Sequence, residues 1–348
     1  MSDQLADSAE RLFAANTGKA VIRAAEDGMF PQALWDAVTE AGFTAALLPE
    51  HAGGYGATIS EAMTLLRIAA AHAAPIPLAE TMLAGWLLAQ AGLSVAEGVL
   101  TLAPVRLRDV LSLSPAGDRW HLTGIASRIP WARDAAAIVV LAECPDGPAV
   151  ALLPPDGFTV NHDRNLAGEP RDTITVDAIL SATAVARAPF GPAQLRAAGA
   201  AVRTVQIAGA LSRVLALSVQ YAQTRVQFGR PIGKFQAIQQ NLAILAGQAA
   251  AAVAAADMAT DALANGLDPL LVGAAKARAG DAASIAAGLA HQAHGAIGFT
   301  QEYELHFATR RLWSWRDEFG NEAEWNGGVG RAVLAAGPDG LWPALTAA

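Results

Sequence analysis

Cysteine is almost missing from this 348-residue chain, in which Cys144 is the sole thiol. One cysteine excludes an internal disulfide and any cysteine-based metal cluster, which fits a reducing cytoplasm. Charge is scarce as well, at 16% of residues, and a net charge of -8 with a pI near 5.4 offers none of the basic stripe a nucleic-acid binder needs. An anionic ligand therefore has to find a local cationic site. No uninterrupted run reaches the roughly 18 apolar residues expected of a membrane span. The N-terminus, MSDQLADSAERLF, carries acids where a signal peptide carries bases, and no apolar stretch follows it. The expectation is a cytoplasmic protein with no membrane span, no nucleic-acid partner and no bound metal.

What the chain has in excess is apolar side chain, 53% of the total, much of it alanine. Alanine favours helix and lets helices approach closely, so bundles with wide buried surfaces are expected, with outer faces that also meet other subunits. The length is enough for two or three domains.

Residues 1 to 98 read as helices separated by turns. In FPQALWDAVTEAG, Leu34, Trp35, Val38 and Ala41 recur at helical spacing and Gly42 follows as a stop. The loop LPEHAGGYGAT concentrates Pro49, Gly53, Gly54 and Gly56 before a second run from Ile59 to Ala71, and Pro75 and Pro77 precede a third from Glu80 to Gly92. From 99 to 191 the pattern shifts to short runs rich in Val, Ile, Leu and Thr (WHLTGIASRI, AAIVVLAE, AVALLP, DTITVDAIL), punctuated by Gly, Pro and Asp, which predicts a small β domain. The helical period returns at Pro192, so 192 to 348 reads as a helical bundle. Its second helix shows a stripe of Phe235, Ile238, Leu242, Leu245, Ala249 and Ala252.

Between the first two bundle helices, Gly229, Pro231 and Gly233 break the pattern, and Arg225, Gln227, Phe228, Arg230 and Lys234 cluster around the break. This segment, RVQFGRPIGKFQ, resembles the flavin-binding corner of the acyl-CoA dehydrogenase family. GFTAALLPEHAGGYG is similar to the family's N-terminal loop, and HQAHGAIGFTQEYELHFATRR to its C-terminal Gln-Gly segment. The three matches run in the family's order. The resemblance implies a mainly α fold with a small β domain: an N-terminal helical domain, a middle β domain and a C-terminal four-helix bundle.

It also implies FAD as cofactor, an acyl-CoA substrate and an electron-transfer flavoprotein as acceptor, in lipid or steroid catabolism. On this reading Arg225 anchors the FAD diphosphate, since a guanidinium binds phosphate oxygens bidentately. Gln227 and Phe228 sit beside it, Phe228 lying against a ring of the cofactor while Gly229 permits close approach. Gln292 and Gly295 match the family's adenine-end contacts from a neighbouring subunit. The competing reading has Arg225 favouring a helix C-terminus through the dipole and Phe228 in the core. His291 and His294 flank Gln292 at a spacing of three, without a third metal ligand nearby, and read as packing or hydrogen-bonding residues.

The chain departs from the family in four places. Ala296 and Ile297 stand where Gly and Asn are usual, and no Thr-Glu-Pro loop lies between Val99 and Pro115. SRIPWAR replaces the aromatic-Ile-Thr stretch, leaving Trp131 either to stack on the flavin or to enter the core. The catalytic Glu aligns with Phe319, one residue after Glu318, and the alternative location on the preceding helix holds Arg203. Three readings follow: a partner subunit resembling the smaller chain of α2β2 acyl-CoA dehydrogenases, a self-sufficient homo-oligomer using Glu318 as base, or a flavin-free scaffold. An oxidase that passes electrons to oxygen is possible on the same fold. The first accounts for the absent loop and the absent base together. Trp313, Trp315 and Trp325 are candidates for a wide pocket or an interface.

Overall fold

The computed structural model describes residues 2 to 346, so Met1, Ala347 and Ala348 of the expected outer domains lie outside the described residues. Five helices come first: α1 (Ser2–Asn16), α2 (Lys19–Glu26), α3 (Gln32–Glu40), α4 (Ile59–Ala71) and α5 (Leu78–Gln90). α3 buries Leu34, Trp35 and Val38, and the chain reverses just after it at Gly42, whose φ is 76°. α4 begins on a capping box, with Thr58 Oγ1 accepting from the Glu61 amide at 3.1 Å and Glu61 Oε2 accepting from the Thr58 amide at 2.9 Å. The loop ahead of it is tight. A Cβ on Gly54 would lie 1.8 Å from the Leu48 carbonyl oxygen, which admits glycine alone. α5 is buried along most of its length and carries Glu80 inward.

The middle of the chain forms two four-stranded sheets from β1 (Leu100–Ala103), β2 (Leu111–Ala116), β3 (Arg119–Pro130), β4 (Ala137–Ala142), β5 (Ala149–Leu153), β6 (Phe158–Asn161), β7 (Arg171–Leu180) and β8 (Val185–Arg187). One sheet has the order β1-β4-β5-β8, with β1 parallel to β4 and the rest antiparallel; the other is β2-β3-β7-β6, antiparallel throughout. They meet where Leu113 and Leu111 exchange backbone hydrogen bonds with Glu143, both 2.8 Å. Along β7, Ile174, Val176, Ala178 and Leu180 point inward while Thr175, Asp177 and Ile179 point out, the alternation of a sheet with one wet face.

The rest is helical: α6 (Pro192–Thr224), a hairpin of β9 (Val226–Gln227) and β10 (Arg230–Pro231), then α7 (Gln236–Ala264), α8 (Pro269–His294), α9 (Leu305–Asp317) and α10 (Glu322–Thr346), the last broken at Gly337 ahead of Pro338. α6 is the central helix, packed by α4, α7, α8 and α9. α6 and α7 are each long and apolar enough to cross a membrane by length and composition, as core helices also are, with 72% of the relevant window buried in α6 and 33% in α7, so the expectation of no span is not overturned. Of the expected α7 stripe, Leu245, Ala249 and Ala252 are buried, whereas Phe235, Ile238 and Leu242 at its start are half-buried.

Candidate functional site

The corner between α6 and α7 is a two-residue hairpin turn in which Phe228 (φ 53°) and Gly229 (φ 78°) both take the left-handed conformation, as a type I′ turn requires. Glycine enters that region freely; phenylalanine does so at a cost. Phe228 is nevertheless 92% exposed, so the core alternative for it does not hold. It meets the ring of Phe235 edge-on at 6.0 Å, and the Arg230 guanidinium lies 4.3 Å over the other member of that pair, Phe235. Arg225 is the C-cap residue of α6: its amide donates to the Tyr221 carbonyl and its own carbonyl accepts from Ile232, both 2.8 Å. The side chains of Arg225 and Gln227 are exposed and make no hydrogen bond or ion pair among the described residues.

Gln292 and Gly295 stand at the same end of the bundle. Tyr221, four residues before Arg225, stacks on His294 at 4.5 Å, which joins the C-terminal ends of α6 and α8. Gln292 is exposed, and Gly295 (φ 65°, ψ -147°) has open space where a Cβ would stand. The two histidines are packed. His291 Nε2 pairs with Thr309 Oγ1 at 2.9 Å between the rings of Phe299 and Trp313, and His294 Nδ1 pairs with the Ala290 carbonyl at 2.7 Å.

A second locus lies where α9 ends against the β domain. The helix stops at Asp317, and Glu318 follows in extended backbone before two left-handed residues, Phe319 (φ 56°) and Gly320 (φ 100°). The Glu318 carboxylate is enclosed by guanidiniums: Oε1 accepts from Arg171 Nε at 2.7 Å and Oε2 from Arg203 Nε at 2.7 Å and Arg171 Nη2 at 3.1 Å. Asn165 adds a longer bond at 3.3 Å. The pairs continue outward, Arg203 to Glu80 at 2.5 Å and Arg171 to Glu169 at 3.0 Å. Glu169 also accepts from Trp315 Nε1 at 3.2 Å and faces Arg311 at 3.1 Å.

This buried cluster ties α5, β7, α6 and α9 together. Burial by itself raises the Glu318 pKa, but Arg171 and Arg203 outweigh it and bring the group down to about 2. Lys276 fixes the turn from the other side, donating to the carbonyls of Arg316 at 2.5 Å and Gly320 at 2.9 Å; burial lowers its pKa to about 8.

The two positions at which a base was sought prove to be neighbours. The Arg203 guanidinium lies 5.7 Å from the centre of the Phe319 ring, and that ring fills the space above Gly199, where a Cβ would come within 2.3 Å of it. Both side chains are buried. Trp131 is buried too, at φ 56°, edge-on to Phe30 at 6.1 Å, so it lies in the core and presents no open face. Trp315 and Trp325 are also internal, whereas Trp313 lines a cavity of about 670 Å³ bounded by Val105, Leu107, Trp313, Glu318 and Phe319. Sequence reasoning missed Glu80, Asn165, Glu169, Arg171, Lys276 and Arg311. The available signal was a charge on an otherwise apolar face, as with Glu80 in LAETMLAG and Lys276 in AAKARAG.

Comparison with known proteins agrees with this fold. Residues 2–94 match the model of the acyl-CoA dehydrogenase N-terminal domain and residues 196–317 that of the acyl-CoA dehydrogenase C-terminal domain. The chain is 29% identical over 312 residues to acyl-CoA dehydrogenase IpdE2 of Mycobacterium tuberculosis, covering 88% of this chain and 89% of the relative. It is 29% identical over 243 residues to acyl-CoA dehydrogenase FadE27 of the same organism, 62% of each chain. Among solved structures, the Tcur3481-Tcur3483 steroid ACAD G363A variant superimposes with a TM-score of 0.86 at 26% identity, covering 96% of this chain and 98% of that one. The ChsE4-ChsE5 complex of M. tuberculosis shares the fold, with a TM-score of 0.86 at 23% identity over 97% and 98% of the two chains.

Proposed function

The chain belongs to the acyl-CoA dehydrogenase family, and on that premise we propose that it serves a hetero-oligomeric acyl-CoA dehydrogenase as the subunit that holds the adenine end of FAD. The assembly converts an acyl-CoA thioester to the 2-enoyl-CoA, with an electron-transfer flavoprotein as external acceptor. When bound, FAD supplies the hydride acceptor. The likeness to the solved Tcur3481-Tcur3483 steroid ACAD, 26% identical, supports a bulky acyl group and a second family member as partner.

The observation that carries this reading is the state of Glu318. A carboxylate between two buried guanidiniums, with a pKa near 2, is a weak base at neutral pH and has no free lone pair aimed at a substrate. Phe319 and Arg203 supply no carboxylate either, so removal of the α-proton falls to the partner.

The residues present fit one end of FAD and not the other. Arg225, Gln227 and Gln292 are exposed with no side-chain hydrogen bond or ion pair among the described residues, and Phe228 is exposed in a left-handed conformation, which suits a diphosphate and adenosine reached across a subunit interface. Near Glu318, the buried Trp131 and the Arg203–Phe319 pair leave no surface shaped for a flavin ring.

The test is flavin per chain, and acyl-CoA-dependent bleaching, for the protein alone and with a family partner. Silence alone, activity in the complex and indifference of that activity to Glu318→Gln are expected. Bleaching by the isolated chain that collapses in Glu318→Gln would establish the self-sufficient enzyme instead. A complex that remains colourless would establish the scaffold.

A further inference from the structure

A second cavity, of about 380 Å³, lies between α2, the C-terminal end of α8, the loop that joins α8 to α9, and α9 itself. Of its lining residues only Trp313 also lines the cavity beside Glu318, and neither Gln292 nor any residue of the β9–β10 hairpin borders it. Two bonds hold α2 against the loop and so close this space. Lys19 Nζ donates to the Glu302 carbonyl at 3.2 Å, and Arg23 Nη2 donates to the Gln301 carbonyl.

The polar groups of the lining are unequally satisfied. Arg310 pairs with Glu26 at 2.6 Å and donates to His306 Nδ1 at 3.0 Å. A guanidinium only donates, so Nδ1 carries a lone pair and the neutral ring bears its proton on Nε2. Burial, then the charges of Arg310 and Arg23, lower the His306 pKa and keep the ring neutral. Its Nε2 is buried with no hydrogen-bond partner among the described residues, the Gln301 carbonyl beside it accepting from Arg23 instead. A buried donor without an acceptor is destabilising, and a ligand oxygen removes that penalty. Arg23 itself is exposed and in no ion pair among the described residues. The opposite wall is aromatic: His291, 6% exposed, lies between the rings of Phe299 at 4.2 Å and Trp313 at 5.7 Å, and its Nδ1 also lacks a partner among the described residues. Phe299 keeps 69% of its surface exposed.

We propose that this cavity binds a small aromatic monocarboxylate, its carboxylate between Arg23 and His306 Nε2 and its ring against Phe299 and Trp313. A guanidinium takes carboxylate oxygens bidentately, the imidazole N–H supplies a further donor, and a volume of about 380 Å³ is that of a small-molecule site. With Glu26 already on Arg310, Arg23 is the cation left for a carboxylate, and Asp27, exposed at the edge, disfavours a second negative charge on the ligand. Binding here needs neither FAD nor a partner subunit.

Titration calorimetry on the full chain with indole-3-acetate and its neutral counterpart indole-3-acetamide tests the site. The acid is expected to bind at least about tenfold more tightly than the amide, and more weakly as salt rises. Arg23→Gln, at an exposed position, should erase that difference with unchanged circular dichroism, whereas Phe299→Ala should weaken both ligands alike, by roughly threefold to tenfold. Acid binding no tighter than amide binding, acid binding indifferent to Arg23→Gln, or no binding of either ligand overturns the proposal. Arg225→Ala separates this cavity from the hairpin. If that variant abolishes acid binding, the ligand belongs to the hairpin, and this site fails while the FAD reading stands. If it leaves both the flavin content of the complex and acid binding intact, the FAD reading fails and this site stands.

Discussion

Two single residues carry opposite meanings in this protein. Arg225 is a cation with no side-chain partner among the described residues, and Glu318 is an anion with two. Losing a charge-assisted bond to phosphate costs about 1.5 to 3 kcal/mol, so Arg225→Ala should weaken FAD binding by the complex roughly tenfold to a hundredfold with an unaltered melting temperature of the apo chain. Flavin fluorescence titration reads it, and full retention at low FAD would refute the assignment. Glu318 predicts acid sensitivity. Its folded pKa is about 2 against an ordinary 4.5, so its contribution to stability is fully present above pH 4.5 and fades as pH falls toward 2. The size is on the order of 3 kcal/mol. Glu318→Gln should flatten the low-pH arm of the stability profile measured by urea unfolding; an unchanged profile would show that the ion pairs contribute nothing.

Among the elements, the β9–β10 hairpin shows how far local preference yields to use. A type I′ turn favours Asn-Gly, and the chain places Phe-Gly there. Phe228→Asn should relieve backbone strain of about 1 kcal/mol and leave the isolated chain as stable or more so, because the aromatic ring is nearly fully exposed and contributes little burial. The same substitution should weaken FAD binding in the complex. A stability loss with unaltered FAD affinity would mean that the ring serves the fold and not the cofactor.

For the molecule as a whole, α7 presents a second apolar stripe away from the bundle, with Ala243, Ile244, Gly247, Ala250 and Ala254 all exposed at helical spacing. A helix apolar on both faces belongs in an interior, and with α4, α6 and α8 covering one side the other calls for another subunit. Ile244→Arg should reduce the sedimentation coefficient of the assembly while the monomer stays folded by circular dichroism. A wild-type chain that sediments as a stable monomer at micromolar concentration, with and without its partner, would exclude this interface.

The helices, the β segment between them and their order were legible in the amino-acid pattern, because the 3.6-residue and two-residue periods are local properties. Ile59–Ala71 was readable to the residue, and Pro192 marked the entry to α6. Phe319 and Arg203, at the positions where the resemblance led one to expect the family's base, were readable too. What those residues do was not. Arg203, Glu80, Arg171 and Glu318 are separated by up to 238 positions in sequence, since Glu80 and Glu318 bracket the cluster, and ion pairing at 2.5 to 3.1 Å depends on how α5, β7, α6 and α9 converge. Periodicity reports which face of an element is apolar. It does not report which charge on one element meets which on another, and that convergence is what makes Glu318 a bound counter-ion of Arg171 and Arg203.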